Sequence, residues 1–550
     1  MNAMDRTSIQ EQQYNLPKGW VRTTVGTIFT VVGGGTPSTA RTDYWDGPIP
    51  WITSADIDDG GRISPRKNLT EKGIAESATN RVPPGSVIVV TRVGLGKAGL
   101  AHAALCFSQD SQGLVFSDDH CFPPFVAYQM RFLVSIFKQI SRGTTISGVT
   151  KKQLLDLGFT LPPYREQHRI VAEIETQFTR LDAVVTAFKR VQANLKRYRA
   201  SVLQAACTGR LVPTEAKLAH AEGRSYESAD QLLQRILQEC RAKWESEQLA
   251  NMQAEGKIPK DDRWKSKYRE PVQPDTSELP ELPEGWVWTS VEQLVSLEPR
   301  SLQSGPFGSN LLHSEFQDTG VLAIGIDNVL EGRFSMGSQH RISLGKYAQL
   351  EKYAARPLDV LVTVMATVGR CCVVPANLEP AIITKHVYRI SANKDLVAPP
   401  YLMTALWGGT EVRGQIFGKV QGQTRPGING EILRRIAIPI PPLDEQDRIV
   451  AEVERRLSVI DELEVVIATN LKRADRLRQA ILKRAFEGKL VPQDPTDEPA
   501  YVLLERIHIA RERTTEKPKA TPQQTKASQP TGQPKATTPV QGELALGFRE

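Results

Sequence analysis

The chain has 550 residues, a net charge of +7, 24% charged and 40% hydrophobic residues, which allows two to four domains with their own cores and a modestly basic surface suited to a polyanion. Its six cysteines (Cys106, Cys121, Cys207, Cys240, Cys371 and Cys372) form no CxxC pair, which argues against structural zinc and for a reducing compartment. The polar start MNAMDRTSIQEQQYN is not a signal peptide, and no apolar run reaches the ~20 residues that span a bilayer, so a soluble cytoplasmic protein with no membrane partner is expected.

Taken in order, the chain is written twice. Leu16-Pro17-Lys18-Gly19-Trp20-Val21 returns as Leu282-Pro283-Glu284-Gly285-Trp286-Val287. Short β-branched runs (Val25–Val32, Val87–Thr91, Val360–Val364, Ala381–Thr384, Ile436–Ile440) lie between Gly/Pro-rich turns, predicting mixed α and β units at 15–160 and 281–439. Val87-Ile88-Val89-Val90-Thr91 with Gly96-Lys97 matches Val360-Leu361-Val362-Thr363-Val364 with Gly369-Arg370, and Asp56 corresponds loosely to Asp327.

Each unit leads into a long helix pattern, at 161–213 and 440–492, opened by PPxxEQ and closed by GxLVP. Ile174, Leu181, Phe188, Leu195 and Val202 form an apolar a row, and Val453, Ile460, Ile467, Ala474 and Ile481 repeat it. The d rows are mixed, with Gln177, Arg456, Asn470 and Arg484 among them. Such heptads predict a coiled-coil seam in which each helix finds its partner in the other copy. From Gln167 to Ala205 the rod would measure about 58 Å. Pro162-Pro163 and Pro441-Pro442 block entry, while Gly209 and Gly488 provide C-caps. The stretch 214–280 reads as a charged linker with a helix near Ala229–Ala250, 493–512 as a short helix, and 513–550 as a disordered tail.

Catalytic motifs are nearly met but fail on chemistry. Gly94-Leu95-Gly96-Lys97-Ala98 lacks the first glycine and the hydroxyl of a phosphate loop, so it reads as a turn between strands. Gly33-Gly34-Gly35-Thr36-Pro37 lacks the GxGxxG arrangement. Leu161-Pro162-Pro163-Tyr164 approaches an amino-methyltransferase motif, yet Leu161 replaces the polar residue that would hold the amino group, and Ile440-Pro441-Pro442-Leu443 lacks both functional groups. The eight histidines do not cluster at metal-ligand spacing, and Lys385-His386 reads as an exposed polar pair. No catalytic residue and no metal site are assigned; the chain reads as a binding protein.

Together these landmarks, with Trp51-Ile52-Thr53-Ser54-Ala55-Asp56-Ile57 and Ser304-Gly305-Pro306-Phe307-Gly308-Ser309, resemble the DNA-specificity subunit of Type I restriction–modification systems over about residues 15–510. The resemblance implies an α+β chain with two mixed α/β target-recognition domains, separated by a long antiparallel two-helix coiled coil in an internal pseudo-two-fold repeat. Each domain would read one half of a bipartite site in double-stranded DNA. The helices would set the spacer and dock two modification subunits, which carry the methyl donor; restriction subunits would bring ATP and Mg. This chain itself would bind no cofactor and have no activity of its own.

Candidate DNA-binding residues are Arg92, Lys97, Thr144, Thr145, Lys151 and Lys152 in the first unit, and Arg370, Lys385, Gln421, Gln423, Arg425 and Asn429 in the second. Their side chains suit phosphates or base edges, and cation or loop recurs at equivalent places in both halves. Two other readings stand beside this one: a self-contained DNA methyltransferase or nuclease, and a coiled-coil scaffold that binds proteins.

Overall fold

A computed structural model of the chain describes residues 16–140, 148–257, 259, 261–337, 339–418 and 427–515. Contacts among these residues divide them into two compact units, one drawn from within 1–180 and 476–550 and the other from within 181–475. The first unit therefore draws on both ends of the chain.

In the first unit β1 (Val21–Thr24) is followed by α1 (Val25–Ile28), β2 (Thr30–Gly33), β3 (Trp45–Ile52), β4 (Lys67–Leu69) and α2 (Glu71–Ala75). Then come β5 (Arg81–Val82), β6 (Val87–Val90), β7 (Ala98–Leu100), β8 (Leu105–Phe107), β9 (Ser111–Val115), α3 (Pro123–Ile140), α4 (Lys151–Leu155) and β10 (Gly158–Leu161). One four-stranded sheet has the order β2-β9-β6-β7, a second has β4-β3-β8-β5, and β1 pairs with β10. Within the second sheet β3 and β8 run parallel. The β6 run Val87-Ile88-Val89-Val90 is buried at every position, as its unbroken apolar sequence requires. Val25–Val32 is not one strand: Thr24 accepts a hydrogen bond from the Thr27 amide and caps a single helical turn before β2 begins.

The long helix α5 (Tyr164–Cys207) begins in the first unit. In the second unit α6 (Glu215–Glu222) and α7 (Ala229–Ala254) precede β11 (Val287–Ser290), α8 (Val291–Leu294), β12 (Leu302–Ser304), β13 (Val321–Ile324), β14 (Val329–Leu330), β15 (Arg333–Phe334) and β16 (Arg341–Ile342). They are followed by α9 (Leu344–Leu350), β17 (Ala354–Ala355), β18 (Val360–Thr363), β19 (Cys371–Val373), β20 (Ala381–Ile383), β21 (Val387–Ile390), α10 (Pro399–Gly408), α11 (Thr410–Gly418), α12 (Gly430–Arg434) and β22 (Ala437–Ile440). The sheets β12-β21-β18-β19 and β16-β13-β20-β17, with β13 parallel to β20 and β11 paired to β22, repeat the first unit strand for strand. The helix α13 (Leu443–Phe486) matches α5 at 44 residues, and α14 (Ala500–Thr515) follows it.

The residues written twice form the joint at the base of each unit. In the first, Trp20 Nε1 donates to Glu166 Oε2 at 2.9 Å, Gln493 Nε2 donates to Glu166 Oε1 at 2.8 Å, and Arg169 pairs with Asp497 at 2.6 Å. In the second, Trp286 Nε1 donates to Glu445 Oε1 at 3.0 Å, the Glu215 amide donates to Glu445 Oε2 at 2.8 Å, and Arg448 pairs with Glu215 at 2.6 Å. Gln167 and Gln446 each donate to the first proline carbonyl of their Pro-Pro pair and accept from a backbone amide, Phe122 or Ala398, at 2.8 Å. The segment after one long helix is thus built into the unit that precedes the other.

Along the long helices the a row is covered: Ile174, Leu195, Val202, Val453, Ile460, Ile467 and Ala474 are buried. In the second unit Leu195, Ile460 and Ile467 share one cluster with Phe188, Leu457 and Leu471, and Arg199 pairs with Asp461 and Glu464. The d residues Val184, Val191, Tyr198, Leu463 and Leu477 are exposed. The second covered row lies instead four residues after each a position, where Phe178 is buried and Leu457 and Leu471 are half-buried, and the d residues form an exposed apolar stripe beside the seam. Among the described residues no helix is long and apolar enough to cross a membrane.

Candidate nucleic-acid interface

In each unit four backbone segments meet at the end of the parallel strand pair. In the first, the Ser108 amide donates to Ile52 O at 2.9 Å, bringing the ends of β3 and β8 together, and the Gly35 amide donates to Phe107 O at 2.9 Å. The turn between β6 and β7 joins them, because the Thr91 amide donates to Asp110 O at 2.8 Å. Finally the Val149 amide donates to Thr91 O at 2.7 Å and brings in the start of α4.

The second unit repeats three of these bonds, while its glycine loop is held by a different one, to the start of β21. Thr384 N donates to Ile324 O at 2.9 Å, Gly305 N to Val387 O at 3.2 Å, Val364 N to His386 O at 3.0 Å, and Ile428 N to Val364 O at 3.0 Å. Gly34 and Gly305 explain why the leading loops carry glycine here: a Cβ on Gly34 would collide with the Ser108 carbonyl, and one on Gly305 with the Thr384 backbone. The structure also corrects a sequence match. Asp56 accepts from the Thr53 amide at 2.7 Å, and the same bond in the second unit runs from the Gly325 amide to Asn328 at 2.9 Å. Asn328, one residue beyond Asp327, is therefore the equivalent of Asp56; a short polar acceptor is what the turn needs, and a sequence alignment by charge misplaces it.

Asp56 also shows the electrostatics of this edge. Burial favours its neutral form, but the Thr53 hydrogen bonds and the Arg66 guanidinium hold its carboxyl below the usual carboxylate range. The strand-end turn of the first unit is thereby a fixed, neutralised scaffold.

The sequence candidates distribute unevenly over this edge. Arg92 is exposed in the β6–β7 turn, and Lys151 and Lys152 are exposed at the start of α4 beside it. Lys97 lies at the foot of the same turn, but its ammonium donates to Ile57 O at 2.7 Å and Ser54 O at 3.4 Å, so its first role is to tie the turn to the end of β3. Arg370 is half-buried at the equivalent foot, and Lys385 is exposed at the β20–β21 turn. Asn429 is exposed, and its side-chain oxygen caps α12 by accepting from the Ile432 amide at 2.9 Å. Thr144, Thr145, Gln421, Gln423 and Arg425 lie outside the described residues.

Sequence reasoning overlooked exposed positions on this edge, Thr36, Val93 and Gln109 in the first unit and Phe307 and Ala366 in the second, and singled out only Lys385 beside them. The signal was present in the recurrence of a glycine loop ahead of an apolar strand, but only the backbone bonds place that loop beside the β8–β9 and β20–β21 turns. Among the described residues no group of three or more His, Cys, Asp or Glu could hold a metal ion. All six cysteines are free and buried, with burial pushing the Cys121 thiol up to about 12.

The sequence matches the Type I restriction modification DNA specificity domain over residues 17–187 and 331–471. It is 24% identical to the Type I restriction enzyme EcoBI specificity subunit of Escherichia coli, over 67% of this chain and 67% of that protein. The EcoKI specificity subunit of E. coli K12 is 22% identical over 90% of this chain and 96% of its own length. In three dimensions the chain is similar to one from a structure on complex assembly and conformational transition of the type I R-M system, with a TM-score of 0.60 at 20% identity, covering 86% of this chain and all of that one.

Proposed function

Because the chain belongs to the Type I restriction modification DNA specificity family, we propose that it is the sequence-specific DNA-binding subunit of a Type I complex, each unit reading one half of a bipartite site. The observation that carries this reading is the repeat itself: the same two sheets deliver the same four-segment edge in both units, while the exposed residues on that edge differ. Two similar scaffolds with unlike reading surfaces suit two unlike half-sites. Exposed Arg92, Lys151, Lys152 and Lys385 supply cations for phosphates or base edges.

In this reading α5 and α13 pair as an antiparallel coiled coil that sets the spacer. Supporting this, Arg478 stacks over Phe178 in the first unit while Arg456 meets Tyr198 in the second, so the partner falls back along α13 as α5 advances. At 44 residues each helix measures about 66 Å and could span about 19 base pairs. The exposed d row offers apolar area to modification subunits. The chain works in the cytoplasm without catalysis of its own; methyl donor chemistry belongs to the modification subunits, and ATP and Mg to the restriction subunits.

The test is to express the chain with its modification subunit and map methylated adenines. Two short half-sites separated by a spacer of fixed length and free sequence are expected. A continuous motif, or none, rejects the proposal, as would methyl transfer or DNA cleavage by the purified chain alone.

A further inference from the structure

The equivalences between the units allow the reading surface to be resolved into residues. The scaffold bonds pair Thr91 with Val364, Ser108 with Thr384 and Gly34 with Gly305. Counting from those anchors, Thr36 corresponds to Phe307, Val93 to Ala366 and Gln109 to Lys385. All six residues are exposed, and at each pair the chemistry changes. The anchors themselves bond only through backbone or are buried, so they do the same work in both units.

We infer that Thr36, Val93 and Gln109 in the first unit, and Phe307, Ala366 and Lys385 in the second, are the side chains that read base edges, and that their differences make the two half-sites different. This rests on the proposed DNA-specificity role. Thr36 and Gln109 are held as a pair, the Thr36 hydroxyl donating to the Gln109 side-chain oxygen. Val93 at the turn between β6 and β7 is 70% exposed, and Phe307 is 52% exposed. Apolar groups so presented gain by meeting apolar surface, and the apolar feature of the major groove is the thymine methyl. An amide such as Gln109 suits the donor–acceptor pair of adenine, whereas the Lys385 ammonium suits the two acceptors of guanine. The first unit is thus suited to an A·T-containing half-site, and the second to one with a guanine beside a thymine. The nearby Arg92, Lys151 and Lys152 then anchor the backbone without selecting sequence.

The experiment uses the full chain assembled with its modification subunits and reads the methylated motif in cellular DNA. Gln109→Ala is expected to relax one position of one half-site, lowering preference there about tenfold, with the other half-site unchanged. Lys385→Gln is expected to alter one position of the opposite half-site, and Phe307→Ala to weaken a thymine preference next to it. Because these side chains are exposed, the thermal midpoints should match that of the parent, and Lys385→Arg should retain the guanine. Unchanged letters in every variant, or changes by Gln109→Ala and Lys385→Gln in the same half-site, would overturn the inference. A parent assembly with no bipartite motif would instead overturn the functional reading on which it rests.

Discussion

Gly488 follows α13 with φ +69°, and a Cβ there would run into the Pro17 ring; Gly209 follows α5 with φ +66°, and its Cβ would come to 2.6 Å from Pro283 Cγ. Each glycine thus serves the helix end and the close approach of the LPxGW loop at once. Gly488→Ala should destabilise the first unit by about 2 kcal/mol, from the left-handed backbone and the overpacked contact, as a lower midpoint in urea. At Glu166 burial raises the carboxyl above its ordinary value of 4.5, against the opposing Trp20 and Gln493 hydrogen bonds. The folded state then binds its proton more tightly than the unfolded state. Its contribution to stability is fully present below pH 4.5 and is lost as pH rises through the raised value. Glu166→Gln, neutral at every pH, should flatten the fall in thermal midpoint across that window; an equally steep fall in the variant would count against this account.

The long helices show what an element can and cannot announce. Their heptads and terminal Pro and Gly residues predict two capped rods, and the apolar a row marks the face that is buried. The d row carries Val184, Val191 and Leu463, which by sequence belong in a seam, yet they are exposed. The second covered row is the one four residues after a, with Phe178, Leu457 and Leu471, because one apolar row every seven residues does not say on which side of it the partner packs. If the rods set the spacer, removing residues 184–190 together with 465–471 should shorten it by about three base pairs, since seven residues rise about 10 Å. Mapping the methylated motif should show the same half-site letters with a shorter spacer, or no site at all. Altered letters would mean that the helices take part in reading.

At the scale of the molecule, division of labour between anchoring and reading predicts a distinct salt response. Lys151→Ala with Lys152→Ala should weaken binding to all duplexes alike and lower the slope of log affinity against log salt by up to about 2, leaving the preferred sequence intact. A filter-binding or fluorescence titration at several salt concentrations measures it, and a change of preferred sequence would reassign those lysines to base reading.

The sequence by itself determined the repeat, the long helices and the boundary motifs, because LPxGW, PPxxEQ and GxLVP report local demands: a tight turn, a blocked helix entry and a left-handed cap. It also carried the family resemblance. Only the tertiary structure decided that Glu166 gathers Trp20 and Gln493 from opposite ends of the chain, that Lys97 is spent on carbonyls of its own scaffold, and that Asn328 stands for Asp56. It alone brought Thr36 and Gln109 together. These are long-range pairings fixed by sheet order, and no spacing along one chain encodes which strand end will lie beside which loop.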